Sequence, residues 1–265
     1  MTVNGKRVTE LGIKADPLVD EICVDGVPIY TAAPPKLVYI MLNKPTGYVS
    51  TVSDPRSPKT VMELLEQVEE RVYPVGRLDA DSSGLLLLTN DGEFANRLTH
   101  PRFHVAKVYR VRVRGFVDKI AAKRLMEGVQ LEDGKTAPAG LKFIEWKDDT
   151  QSSIIDITLY EGRNRQVRRM MEEVGHPVRE LHRVAYGNLR MKGLLPGTWR
   201  KLRPDEVESL LELAQPTPTP GIRERREKLP YRPRNPKAPE PETQSFPVRP
   251  PSKHPQPRRK TGGNP

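Results

Sequence analysis

Cysteine, long apolar runs and metal-binding clusters are what this 265-residue chain has least of. A single cysteine, Cys23, rules out an intrachain disulfide and fits a reducing compartment. The first ten residues lack the apolar core of a signal peptide. The longest leucine run, Leu85 to Leu88, is far too short to span a bilayer. These absences lead to the expectation of a soluble cytoplasmic protein with no membrane partner. The five histidines are scattered, and no Cys/His grouping has the spacing of a metal site. Neither a P-loop nor a dinucleotide-binding pattern occurs.

What is present is unevenly placed. The formal net charge is +10, yet residues 1–214 hold 32 basic and 30 acidic residues. Residues 215–265 hold 12 basic and 4 acidic residues, together with 14 of the 27 prolines. The basic character therefore belongs mainly to the tail and does not by itself make the folded part a nucleic-acid binder. A segment of that composition cannot bury a core, so 215–265 is expected to be disordered.

Ahead of the tail, two further regions separate. Residues 1–33 read as short strands and turns. Val3 and Val8 flank an Asn4-Gly5 hairpin signal, and a strand from Glu21 enters a turn at Asp25-Gly26. Pro34-Pro35 closes this piece as a linker. Residues 36–214 read as one α+β domain. Strands are expected over 37–42, 85–89, 108–114 and 154–160, and helices over 61–70, 93–99, 119–127 and 166–174. In 108–114, arginines alternate with Tyr109, Val111 and Val113, the period of a strand with one wet face. The helix at 166–174 should stop at Gly175, with Pro177 just beyond. There is no internal repeat and no heptad seam, so a monomer is expected.

Four stretches carry candidate chemistry. They are Asn43-Lys44-Pro45-Thr46-Gly47-Tyr48, the loop Gly76-Arg77-Leu78-Asp79-Ala80-Asp81-Ser82-Ser83-Gly84, Lys107-Val108-Tyr109, and Glu161 onward through Arg163, Arg165, Arg168 and Arg169. Each has a plain structural reading when taken alone. An Asp in such a loop is usually a turn former, a strand Tyr usually packs, and an Arg cluster is usually a solvated face. Together they say more. The Asp79 loop runs straight into Leu85-Leu86-Leu87-Leu88, so its carboxylate hangs from a rigid strand. Arg165, Arg168 and Arg169 fall at helical spacing on one side of a helix whose N-terminus favours phosphate. Such a cluster is an electrostatic footing for RNA, and one of its arginines can turn inward to hold a carboxylate ionised.

These stretches, in this order and spacing, resemble the RsuA-type branch of pseudouridine synthases, bacterial enzymes that modify ribosomal RNA. The likeness covers 36–204, and its most specific part is Gly76-Arg77-Leu78-Asp79 followed by the leucine strand and Thr89-Asn90-Asp91-Gly92. It implies a catalytic fold with a mixed, mainly antiparallel sheet flanked by helices. It implies Asp79 as the essential carboxylate, Tyr109 as the residue packing on the target base, Arg168 as the arginine paired with Asp79, and Leu181 as an apolar pocket residue. Lys44, Arg77, Arg165 and Arg169 are the candidate RNA contacts. Ser82 stands where relatives usually have threonine, and the hydroxyl survives. Residues 1–33 resemble only the second half of an S4 RNA-binding domain. Either this is a degenerate S4 module or the true start lies upstream of Met1, and we favour the second.

The implied reaction breaks the N1–C1′ bond of a flipped-out uridine, turns the base and rejoins it through C5. It requires no redox change and no external group, so no cofactor and no metal are expected. The implied partner is ribosomal RNA or a pre-ribosomal particle, with the large subunit favoured. Two rival readings remain: a non-catalytic RNA-binding ribosome-assembly factor on the same fold, and a glycoside hydrolase using Asp79 and Asp81. The tail reads equally as an RNA tether and as a solubilising linker without a partner. On the tether reading, deleting 215–265 weakens RNA binding and flattens its salt dependence. Binding that is unchanged across a salt series, measured by filter retention, rejects the tether.

Overall fold

A computed structural model describes residues 1–10, 12–15, 19–28, 36–55 and 59–215. The linker Pro34-Pro35 and the tail from 216 lie outside the described residues. The chain divides into two units, Met1–Leu37 and Val38–Pro265.

The first unit holds four short antiparallel strands, β1 (Thr2–Val3), β2 (Lys6–Arg7), β3 (Ile22–Val24) and β4 (Val27–Pro28), in the order β2-β1-β3-β4. Its two tight turns are Asn4-Gly5 and Asp25-Gly26, with φ of 51° and 75° in one and 52° and 80° in the other. Positive φ at both central positions is what a two-residue hairpin turn needs, and Asn-Gly and Asp-Gly pairs adopt it most readily.

The second unit is built on β5 (Tyr39–Lys44), β6 (Tyr73–Val75), β7 (Ser83–Thr89), β8 (Lys107–Arg114), β9 (Gln130–Leu131), β10 (Gly134–Lys135), β11 (Gly140–Lys147), β12 (Ser152–Leu159), β13 (Val178–Tyr186), β14 (Leu189–Arg190) and β15 (Trp199–Lys201). Its helices are α1 (Gly92–Thr99), α2 (Lys119–Glu127), α3 (Gln166–Glu173) and α4 (Pro204–Leu213). Nine strands make one mixed sheet in the order β11-β12-β8-β13-β7-β5-β15, with β6 on β7 and β14 on β13. Every pairing in it is antiparallel except β13 with β7. The β9–β10 hairpin stands apart.

Burial explains the strand sequences. Leu85 and Leu87 face Phe94, Leu98 and Leu210 under α1 and α4, while Leu86 and Leu88 face Val61, Leu65 and Leu78 on the other side. A strand covered on both faces has no polar side to show, hence the unbroken leucine run. In β8 and β12 one face is apolar and packs beneath α2 and α3 through Val111, Val113, Ile155 and Ile157. The other face is wet, and there the Arg110 guanidinium donates to both oxygens of its cross-strand neighbour Asp156, at 2.8 and 2.9 Å.

Three expectations change. The helix expected over 61–70 is a single 3-10 turn, Val61–Leu65, closed at its start by a Thr60–Glu63 capping box. The chain then turns through 66–72 and returns to the sheet as β6 from Tyr73. The first strand runs Tyr39–Lys44 rather than 37–42, because Asn43 and Lys44 are buried and hydrogen-bonded despite being polar. Strands β11, β13 and β15 and helix α4 had no clear sequence signal, and β13 lies at the centre of the sheet.

The parallel contact between β7 and β13 depends on Gly84, which pairs with Arg183 at φ +108°. A Cβ there would sit 2.6 Å from the Arg183 nitrogen and closer still to its carbonyl oxygen. Gly84→Ala is therefore expected to cost about 2–4 kcal/mol from strain and backbone overlap together. Gly47→Ala, also at positive φ but with open space around the added methyl, should cost about 1 kcal/mol. Urea denaturation of the two variants gives the comparison, and equal losses would contradict this account.

Candidate active site

The Asp79 loop links β6 to β7 and is held from behind by the strand-turn motif at 43–50. Lys44 is fully buried, and its Nζ donates to the carbonyls of Ser82 (2.8 Å), Asp79 (3.0 Å) and Pro45 (3.1 Å). The Ser50 hydroxyl donates to Leu78 O and accepts from Leu78 N. Gly47 N donates to Ala80 O at 2.7 Å. The backbone on both sides of Asp79 is thus fixed by hydrogen bonds. Burial pushes the Lys44 ammonium down to about 8, although the charges of Asp79 and Asp81 oppose that shift. Lys44 cannot meet a phosphate from this position, so its place among the RNA contacts is corrected: it is a buried brace for the loop.

The start of α3 clamps the same loop from the front. Arg165, at φ +46°, precedes the helix without a side-chain cap of its own. Its guanidinium lies 3.4 Å from an oxygen of Asp79 and 3.4 Å from one of Asp81. Arg168 donates to Asp81 O at 3.0 Å and lies 3.2 Å from the Asp81 carboxylate and 3.4 Å from the Ser82 hydroxyl. The pairing with Asp79 expected of Arg168 therefore falls to Arg165, one helical turn earlier, and Arg168 fixes the loop two and three residues further on. Burial alone would raise the Asp81 carboxyl, but the Arg168 charge and the Arg165 hydrogen bond outweigh it and hold it below its usual value.

Arg169 points elsewhere. It makes a bidentate pair with Asp133 at 3.0 Å to each oxygen, in the β9–β10 turn, where Arg163 also donates to Asp133 O, Gly134 O and Lys135 O. Arg169 is thus tied to the β9–β10 turn rather than to the Asp79 loop, through a part-exposed pair. The three arginines share a helix but not a task.

Asp79, Tyr109, Leu181, Arg165 and the exposed Arg77 line one cavity of about 270 Å³. Its sheet-side wall is formed on β8 and β13 by Leu181 and two pairs of cross-strand neighbours, Tyr109 opposite Arg183 and Lys107 opposite Tyr186. Arg183 and Tyr186 gave no signal in the sequence, since an arginine among the polar residues of Val178–Tyr186 reads as a solvent-facing residue. Arg183 is in fact only 2% exposed, with Nε donating to Leu85 O at 2.6 Å. Lys107 is buried too, and burial first, then the Arg183 charge, push its ammonium down to about 8.

Two lysines titrating near 8 in the folded protein and near 10.5 when unfolded set a sign for pH dependence. Below pH 8 both states hold both protons. Between 8 and 10.5 only the unfolded chain does, so stability rises with pH across that window. Unfolding free energy measured by urea titration should increase by on the order of 1–3 kcal/mol from pH 8 to 10. A decrease over that interval would contradict the two buried ammonium groups.

Residues 38–173 match the family described as RNA pseudouridylate synthase. Over 212 residues the chain is 47% identical to the ribosomal large subunit pseudouridine synthase B of Bacillus subtilis (strain 168), covering 80% of this chain and 85% of that protein. It is 38% identical to the ribosomal small subunit pseudouridine synthase A of Yersinia pestis, covering 79% and 87%. A crystal structure of a pseudouridylate synthase superposes with a TM-score of 0.61 at 31% identity, covering 79% of this chain and 87% of that one. With the Asp79 loop, the leucine strand and the α3 clamp assembled on a mixed sheet, the chain belongs to the RNA pseudouridylate synthase family, in its RsuA-type branch.

Proposed function

We propose that this enzyme converts one uridine of ribosomal RNA, in the large subunit, to pseudouridine, with Asp79 as the carboxylate that acts at the sugar. The observation that carries this is the single pocket in which Asp79, Tyr109 and Leu181 meet beneath the arginines of α3. The higher identity to a large-subunit than to a small-subunit enzyme supports the subunit choice.

The pocket suits a flipped nucleoside. Tyr109 and Leu181 offer an apolar slot for the pyrimidine, and flipping costs a few kcal/mol that stacking offsets. Asp79, at the pocket edge, either attacks C1′ or removes a sugar proton, and the carboxylate serves both routes. Arg165 keeps it aimed, and Arg168 keeps the loop shut through Asp81 and Ser82. Arg77 is placed to take a backbone phosphate at the mouth, and Arg165, half-exposed, can share that contact. The four-stranded N-terminal unit, on its partial likeness to an S4 module, adds a second RNA contact, and the protein acts as a cytoplasmic monomer. The reaction as written uses no cofactor.

The hydrolase reading loses support from the geometry. Hydrolysis of a glycoside needs two carboxyl groups about 5–9.5 Å apart on opposite sides of a sugar. One guanidinium, that of Arg165, touches both Asp79 and Asp81, so the two carboxylates lie on the same side.

The test is pseudouridine mapping of ribosomal RNA from cells lacking the gene, complemented with wild type or with Asp79→Asn. One site should vanish on deletion and return only with wild type. In vitro the variant should lose about 10³-fold or more in rate while RNA affinity stays within about threefold. An unchanged map with persistent RNA binding would instead make the protein a binding factor.

A further inference from the structure

Arg183 and Lys107 form a buried cationic pair at the closed end of the pocket. The Arg183 Cζ lies 5.2 Å from the Tyr186 ring centre and 6.0 Å from that of Tyr109, and Lys107 Nζ lies 5.2 Å from the Tyr186 ring. Both residues line the cavity. Arg183 uses Nε on Leu85 O, while Nη2 is buried with no hydrogen-bond partner among the described residues. Lys107 is anchored by Val105 O at 3.1 Å. The carboxylates that line the cavity, Asp79 and Glu161, are engaged by Arg165 and by Arg163 with Gln166. A desolvated guanidinium with a free donor and no counter-ion is costly unless something electronegative fills the space before it.

We infer that the Arg183 guanidinium donates to a ring carbonyl oxygen of the flipped uracil and stabilises the negative charge the ring acquires when the glycosidic bond breaks. This rests on the proposed function. The N1–C1′ bond cleaves with its electron pair leaving on N1, delocalised onto the carbonyl oxygens. The sugar is balanced either by a new bond from C1′ to the Asp79 carboxylate or by loss of a sugar proton to Asp79. Both routes release the same uracil anion. C5 then bonds to C1′, displacing the Asp79 carboxylate on the first route or with Asp79 returning the proton to the sugar on the second, and the loss of the C5 proton is matched by uptake of a proton at N1, which restores the neutral ring. A fixed cation at the carbonyl lowers the barrier to the first step by either route. Tyr109, opposite Arg183 in the sheet, holds the ring between the aspartate and the cation. Lys107 adds positive potential from across Tyr186.

The experiment uses the full chain and an RNA fragment carrying the mapped uridine, either unmodified or as 5-fluorouridine. Fluorine stabilises the departing anion on its own, so a fluorinated base needs less help from the enzyme. Arg183→Gln should bind RNA within threefold of wild type and slow single turnover of uridine at least a hundredfold. Loss of the N1-linked fluorinated nucleoside should slow tenfold or less. The ratio of fluorinated to plain rates therefore rises at least tenfold. Arg183→Lys, which keeps the charge, should fall between, and it stands in if the Gln variant melts early. A ratio unchanged from wild type in a folded variant, whatever the absolute rates, overturns the inference. Wild type that forms no pseudouridine overturns the proposed function instead, so the two failures are separable.

Discussion

The backbone contact between Gly84 and Arg183 is the constraint on which the rest of the second unit depends. The sheet consists of two antiparallel blocks, and they are joined through the parallel β7–β13 pair. Only there can the chain entering β7 deliver Asp79 to the same cavity that β13 lines with Leu181 and Arg183. A side chain at position 84 would hold the strands apart at the residue whose guanidinium faces the site. The glycine is therefore a requirement of close approach as much as of its positive φ.

Around that seam, charge is divided by task. Lys44 spends its ammonium on three carbonyls behind the loop. Arg165 and Arg168 close the loop from the front, and Arg169 with Arg163 ties α3 to the β9–β10 turn. Each of these cations has a carboxylate or carbonyl partner within the protein. Arg183 and Lys107 differ in being buried without a carboxylate, and so they give the closed end of the pocket an uncompensated positive field. A site that carries negative charge only while a bond is breaking suits such a field, because the enzyme alone supplies nothing to neutralise it.

Legibility in the sequence followed periodicity and turn chemistry. The helices α1 and α3 were readable because Asp91 and Gly175 punctuate them at the right offsets from apolar stripes, and the Asp118 cap of α2 was seen only in the structure. The Asn4-Gly5 and Asp25-Gly26 turns were readable because few other pairs tolerate two positive φ values. Strand β13, Val178–Tyr186, was not. Its polar residues meet partners far away in sequence: His182 the Ser83 hydroxyl at 2.8 Å, Glu180 Arg112 at 2.7 Å, and the Nε of Arg183 the Leu85 carbonyl. No local pattern reports such partners.

The sequence by itself determined the carboxylate, its loop, the rigid strand behind it and the arginine-rich helix, since these depend on residues close together in the chain and on local steric rules. Tertiary structure alone decided which arginine meets Asp79, that Lys44 is buried behind the loop, that Arg169 pairs with Asp133, and that Arg183 is buried. Hydrogen bonds and ion pairs are short-ranged. A guanidinium three or four residues along a helix points in a different direction, and which partner it finds depends on the element that packs against that face.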